Sequence, residues 1–132
     1  MKLIEEIKLA NGLNLKIFDL SLRVATDTTK VEISFQTKIP LKKSYFTDTQ
    51  DYTQVKNIMG DVLTYEHKRV RSFVFDKDMD SVRDDLINTF KSNSLEYLAA
   101  VNFPKKMAMS ILKDIKKNPY KYNPHIYSDS EE

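Results

Sequence analysis

A chain of 132 residues with no cysteine, two glycines and a formal charge of +2 leaves few routes to chemistry. Disulfides, thiolate metal sites and cysteine nucleophiles are excluded together, and a glycine loop for cradling phosphate has almost no raw material. Hydrophobic residues at 41% and charged residues at 30% indicate one soluble globular domain with a moderate core.

The first ten residues mix Glu5, Glu6 and Lys8 among their apolar positions, so they lack the apolar stretch of a signal peptide. No apolar run approaches the ~20 residues of a membrane span. The cytoplasm is the expected location. Short alternating runs flank Ala10-Asn11-Gly12 and predict a hairpin. A two-residue loop would put the apolar sets on opposite sides of the ribbon. A three-residue loop instead pairs Leu9 with Leu13, Ile7 with Leu15 and Glu5 with Ile17, with Gly12 as its left-handed third residue.

Asp27-Thr28-Thr29 reads as a turn into the clearest signal of the chain, residues 30–41. Val31, Ile33, Phe35, Ile39 and Leu41 occupy odd positions, and Lys30, Glu32, Ser34, Gln36 and Lys38 even ones. Side chains alternate faces along a strand, so one face lies in a core and the other in water. Residues 45–50 read as loop and 51–59 as a short helix closed by Gly60. Residues 62–75 are β-rich, with a change of parity near Val70 that suggests a bulge.

The rest is helical. Val82, Leu86, Ile87 and Phe90 form one stripe, and Asp78, Asp80 and Asp84 suit the start of that helix. Asn93, with Glu96 three residues later, predicts the cap of a second helix. Pro104 opens a third, with Met107, Ala108, Ile111 and Ile115 as its stripe and Asn118-Pro119 as its stop. Residues 119–132 are expected to be a flexible tail. The expected architecture is therefore a single α+β domain over residues 1–118. It has an antiparallel sheet of about four strands, an N-terminal three-stranded meander plus a later strand, packed by C-terminal helices.

Chemical signatures are weak. The acids of residues 76–80 alternate like a calcium loop, but Ser81 replaces the turn glycine and Ile87 the bidentate acid. His67 and His125 have no second ligand at metal spacing, so neither metal nor cofactor is expected. Two basic groups stand out. One is the strand His67, Lys68, Arg69 and Arg71, where alternation puts Lys68 alone on one face and Tyr65 and Phe73 beside the other three. The other is the predicted third helix with Lys105, Lys106, Lys113, Lys116 and Lys117. Cations beside aromatics suit a single-stranded nucleic acid or another polyanion. Cross-strand pairing with acids such as Glu5 or Glu32, and an acidic chain end folded back on the lysines, are the structural alternatives.

Several short motifs occur together in order: Asn11-Gly12-Leu13; Arg23-Val24-Ala25 with Asp27; Tyr65-Glu66 with Lys68, Arg71 and Phe73-Val74; and Asn93-Ser94-Leu95 with Tyr97-Leu98. This order resembles a family of small uncharacterised bacterial proteins. Thr26 and Ser72 depart from its pattern, where glycine and asparagine are expected. The resemblance implies no activity, but it directs attention to polar residues within the motifs. Arg23, Asp27, Glu66 and Arg71 are a candidate polar pocket at the junction of sheet and helix. In the structural alternative they pair with one another and Asn93 caps its helix.

No catalytic residue is expected. The leading functional expectation is a non-enzymatic module that binds a protein partner through aromatics such as Tyr45, Phe46 and Tyr52. Nucleic-acid binding through the basic groups comes second, and a ligand pocket or small enzyme third. No oligomeric state follows from the sequence.

Overall fold

The structure, a computed structural model, describes residues 1–122. It is an α+β fold with an antiparallel sheet and C-terminal helices. The strands are β1 (Lys2–Lys8), β2 (Asn14–Asp19), β3 (Leu22–Arg23), β4 (Thr28–Pro40) and β5 (Val62–Phe75). The helices are α1 (Thr49–Met59), α2 (Met79–Ala99), α3 (Phe103–Lys117) and the short turn α4 (Pro119–Tyr122). The chain groups into two compact units: residues 1–38 with 64–101, and residues 39–63 with the chain from 102 onward.

The first unit is built on the predicted ribbon. Ile7 lies opposite Leu15 and Glu5 opposite Ile17, and Leu9 N donates to the Leu13 carbonyl at 2.7 Å, which closes a three-residue loop. Gly12 holds φ 90, the left-handed conformation that an L side chain rarely adopts. Asn11 fastens this loop to the end of α2. Its Nδ2 donates to the Leu98 and Ala100 carbonyls at 2.8 and 2.9 Å, while its Oδ1 accepts from Leu13 N at 3.2 Å.

β2 and β3 lie along the same edge of β4 in one register, from Leu15 opposite Thr37 to Arg23 opposite Thr29. The break between them falls at Leu20-Ser21, where the Ser21 hydroxyl accepts from Glu32 N at 3.1 Å. β5 pairs with β4 as well. The period-two expectation holds along all of β4: Thr29, Val31, Ile33, Phe35, Thr37 and Ile39 are buried, while among even positions only Ser34 is. Among the described residues the Thr37 hydroxyl is enclosed without a hydrogen-bond partner.

Phe35 of β4 stacks on Phe90 of α2, with ring centroids 3.7 Å apart and planes at 11°. His67 of β5 lies 5.8 Å from the same Phe90 ring. Phe90 is thus an aromatic that two strands share.

The helical part differs from expectation in one respect. α2 runs unbroken through Asn93, which is exposed and caps nothing, so two long helices replace the predicted three. The stripe of Leu86, Ile87, Phe90 and Leu98 is buried throughout, and continuous packing outweighs a local capping preference worth only ~1 kcal/mol. The break instead comes at Ala100, whose backbone is extended.

In the second unit Asp48 caps α1 by accepting from Gln50 N at 2.9 Å, and Gly60, at φ 83, ends it. α1 and α3 pack together, with Lys116 Nζ 2.9 Å from the Asp51 carboxylate. Val55, Leu63, Phe103, Ala108, Leu112 and Ile115 supply the buried apolar side chains. Of the expected tail, α4 is tied back: the Asp114 carboxylate accepts from the Tyr122 hydroxyl, from Lys121 Nζ at 3.2 Å and from Asn118 Nδ2 at 2.9 Å. Residues 123–132, with His125, Tyr127 and the acidic end, lie outside the described residues.

Two predictions follow from these contacts. Phe90→Ala removes the ring shared by β4 and β5 and should destabilise the protein by ~3–5 kcal/mol in urea unfolding. A loss below 1 kcal/mol would show that the stack is not central. The second concerns Asp114, whose carboxyl the Tyr122 hydroxyl, then Lys121 and Asn118, hold below the usual carboxylate range. The same bond to Asp114 raises the Tyr122 phenol. A lowered acid stabilises fully above its unfolded value and loses that effect as pH falls through the folded one. A raised phenol stabilises below its unfolded value and loses it as pH rises through the folded one. Tyr122 ring signals in NMR should therefore report an acid transition below 3.8 and an alkaline one above 10.0. Asp114→Asn should abolish the first and bring the second down.

Candidate functional site

β5 carries five of the twelve candidate site residues, Glu66, His67, Lys68, Arg69 and Arg71, and its two faces meet different surroundings. On the odd row Leu63 is buried, Tyr65 and Arg69 are half-buried, and His67 stacks against Phe90. Arg71 Nη2 lies 3.7 Å from the Asp85 carboxylate of α2. From His67 to Arg71 this row therefore runs along α2. On the even row the Glu66 carboxylate accepts from the Ser34 hydroxyl at 3.0 Å and from Gln36 Nε2 at 2.8 Å, a cross-strand polar cluster with β4.

The alternation breaks at Phe73. This residue has φ 57, the only positive φ among the described non-glycine residues. An aromatic side chain in that region is a strained outlier. The reversal turns Val74 inward to 5% exposure and leaves Phe73 77% and Phe75 52% exposed. The parity change expected near Val70 thus falls at Phe73, and Phe73 does not pack beside the basic row. Leu22 and Val24 of the neighbouring hairpin are also exposed.

The four candidate pocket residues occupy three separate places. Arg23 meets Asp76 through two contacts, at 3.2 and 3.3 Å, and donates to the Thr26 carbonyl at 2.6 Å. Asp27 joins the same corner through its carbonyl, which accepts from Asp76 N at 3.1 Å. Asp27, Phe75, Asp76 and Lys77 line an open depression of about 300 Å³ there. Glu66 is held by Ser34 and Gln36, and Arg71 by Asp85, so the four do not converge. Asp76 is the residue that the sequence reading missed. Its signal lies in the acid run of residues 76–80, which by sequence resembles a calcium loop without its turn glycine.

The basic residues also sort by surroundings. Arg69 forms no ion pair among the described residues, and its Nε is enclosed with no hydrogen-bond acceptor. Burial raises the Tyr65 phenol, the neighbouring Tyr97 raises it further, and Arg69 opposes both. On α3, Lys105, Lys106, Lys113 and Lys117 are exposed, while Lys116 is engaged by Asp51. Lys113, Lys116 and Lys117 rim an open depression of about 550 Å³ floored by Met109 and Leu112. Tyr45, Phe46 and Tyr52, expected as an exposed patch, are half-buried, with the Phe46 and Tyr52 rings 5.8 Å apart.

Among the described residues, no group of three or more acidic, histidine or cysteine side chains is arranged to hold a metal. Among the same residues, no helix is long and apolar enough to cross a membrane.

The opposing effects on Tyr65 are directly testable. Its phenol should titrate above the ordinary tyrosine value, and Arg69→Gln should move it higher, because the favourable charge is removed. Tyr65 ring signals followed by NMR against pH check this, and an unmoved midpoint would place Arg69 too far from Tyr65 to matter.

No family model, no curated protein and no solved structure matches the chain.

Proposed function

We propose that this protein is a binding module that takes up an extended segment of a protein partner along the free edge of β5. The observation that carries this reading is Phe73. A strained backbone that places an aromatic ring in water costs stability twice, and such outliers persist where the exposed group is used.

The strand itself suits the role. β5 pairs with β4 alone, so among the described residues no strand occupies its other edge. An unpaired edge offers a row of backbone donors and acceptors to an added strand. β1 is the other outer strand, but it has half the length of β5, 7 residues against 14, and its register shifts between Leu3 and Glu5. Val70, Phe73 and Phe75 add exposed apolar surface along β5, and aromatic anchors contribute most to such interfaces. The cations of β5 have a second physical consequence. Self-pairing about this edge would bring Lys68, Arg69 and Arg71 close to their own copies, which guards the strand against aggregation.

Phe73→Gly separates stability from binding. Glycine accepts a positive φ without strain, so this variant should be as stable as the parent or more stable, by about 1 kcal/mol. Peptides selected from a random library on the intact protein should shift the backbone amides of residues 64–75 in NMR. They should bind at least tenfold more weakly to Phe73→Gly and to Phe75→Ser. Loss of stability without loss of binding, or shifts confined to other elements, would overturn the proposal.

A further inference from the structure

We infer that the segment docking on β5 is acidic, with carboxylates pairing to Arg69 and Arg71 on the face toward α2 and to Lys68 on the opposite face. This rests on the strand-addition reading above and names the partner's chemistry.

Within residues 64–75 there are four basic side chains, His67, Lys68, Arg69 and Arg71, and one acid, Glu66. Glu66 is engaged by Ser34 and Gln36, away from the free edge. Of the three permanent cations, only Arg71 has an acidic neighbour, and that contact is long, 3.7 Å between half-exposed groups. Lys68 and Arg69 have none among the described residues, and the Arg69 Nε lacks any acceptor. Guanidinium and ammonium groups without an acid partner favour an oxyanion, and a carboxylate is the group that an extended peptide supplies.

Geometry then sets the pattern. A strand laid beside β5 places its alternate side chains next to the odd and even rows of β5, where directly opposite charges of unlike sign attract and like charges repel. Acids on both faces of the added strand meet Arg69 and Arg71 on one side and Lys68 on the other. The apolar anchors fall further along, toward Phe73 and Phe75. A second copy of β5 fails this test because it brings cations to cations.

The test uses the full chain and three synthetic peptides in which a run of four glutamates, glutamines or lysines, two on each face of an extended strand, is flanked by valines. The glutamate peptide should shift the amides of residues 64–75 and bind about tenfold more tightly than the glutamine peptide at low salt, as expected for two or three exposed pairs. The gap should shrink as salt is added. Arg69→Gln and Lys68→Gln should each reduce it by about two- to fivefold, and Lys113→Gln on α3 should leave it unchanged. Thermal unfolding confirms that each variant is folded, and the exposed Lys68 serves if Arg69→Gln is not. Equal affinity for the glutamate and glutamine peptides would overturn the acidic partner and leave strand addition standing. Failure of all three, with no library peptide bound at β5, would overturn both. Tighter binding of a single-stranded oligonucleotide to residues 64–75, or self-association that protects these amides, would assign the edge to nucleic acid or to a second copy and likewise overturn the inference.

Discussion

Phe90 is the side chain on which the first unit turns. Its ring is fully buried, stacked on Phe35 from β4 and faced by His67 from β5. One helix residue thereby fixes the rotation of α2 against two strands at once, and the remaining contacts follow from that rotation. Asp85, more than a turn before Phe90, comes to Arg71; Lys91, the next residue, reaches Glu5 at 2.9 Å; and Leu98 presents its carbonyl to Asn11. Aromatic pairs of this kind contribute beyond the area that they bury, and their geometry is directional.

The same arrangement explains why β5 is an unusual strand. Up to Arg71 its odd row is committed to α2, by ring contact at His67 and by charge at Arg71. Continuing that alternation would turn Phe73 and Phe75 toward the helix side. The left-handed conformation at Phe73 breaks the row and buries Val74 in their place. Two aromatic rings are left in solvent beside an unpaired backbone edge, and the adjoining cations have few acids to meet. Apolar anchors, open backbone groups and unspent charge lie within residues 64–75 of one strand, which is why the proposed peptide-binding role fits better than a pocket whose four residues fall in three places.

The short motifs of the chain acquire physical roles here. Asn11-Gly12-Leu13 is a loop and a clamp: glycine supplies the left-handed turn, and asparagine ties the loop to the last carbonyls of α2. Arg23 and Asp27 form a corner with Asp76, and Glu66 bridges two polar side chains of β4. Most of these polar residues are satisfied by one another. Lys68, by contrast, has no acid partner among the described residues, and the neighbouring Arg69 has an Nε without an acceptor.

What could be read from the chain without coordinates was whatever depends on neighbours in sequence. Period-two alternation located β4 and its buried face, and the stereochemistry of a three-residue loop with Gly12 set the register of the first hairpin. Helical spacing identified Leu86, Ile87 and Phe90 on α2 and Ala108 and Ile115 on α3, while Val82, Met107 and Ile111 are only half-buried and Leu112 is buried without having been expected. Where a local preference competed with packing, the local reading failed: Asn93 is a good cap, but the apolar stripe through Leu98 carries α2 past it. The partner of each charged group was not legible, because Arg23 finds Asp76 and Arg71 finds Asp85 only once strand and helix have been brought together. Nor was the turn at Phe73, since no residue type announces an aromatic at positive φ. Its consequence, Val74 buried and Phe73 in water, shows only once the strand is packed against elements far apart in the chain.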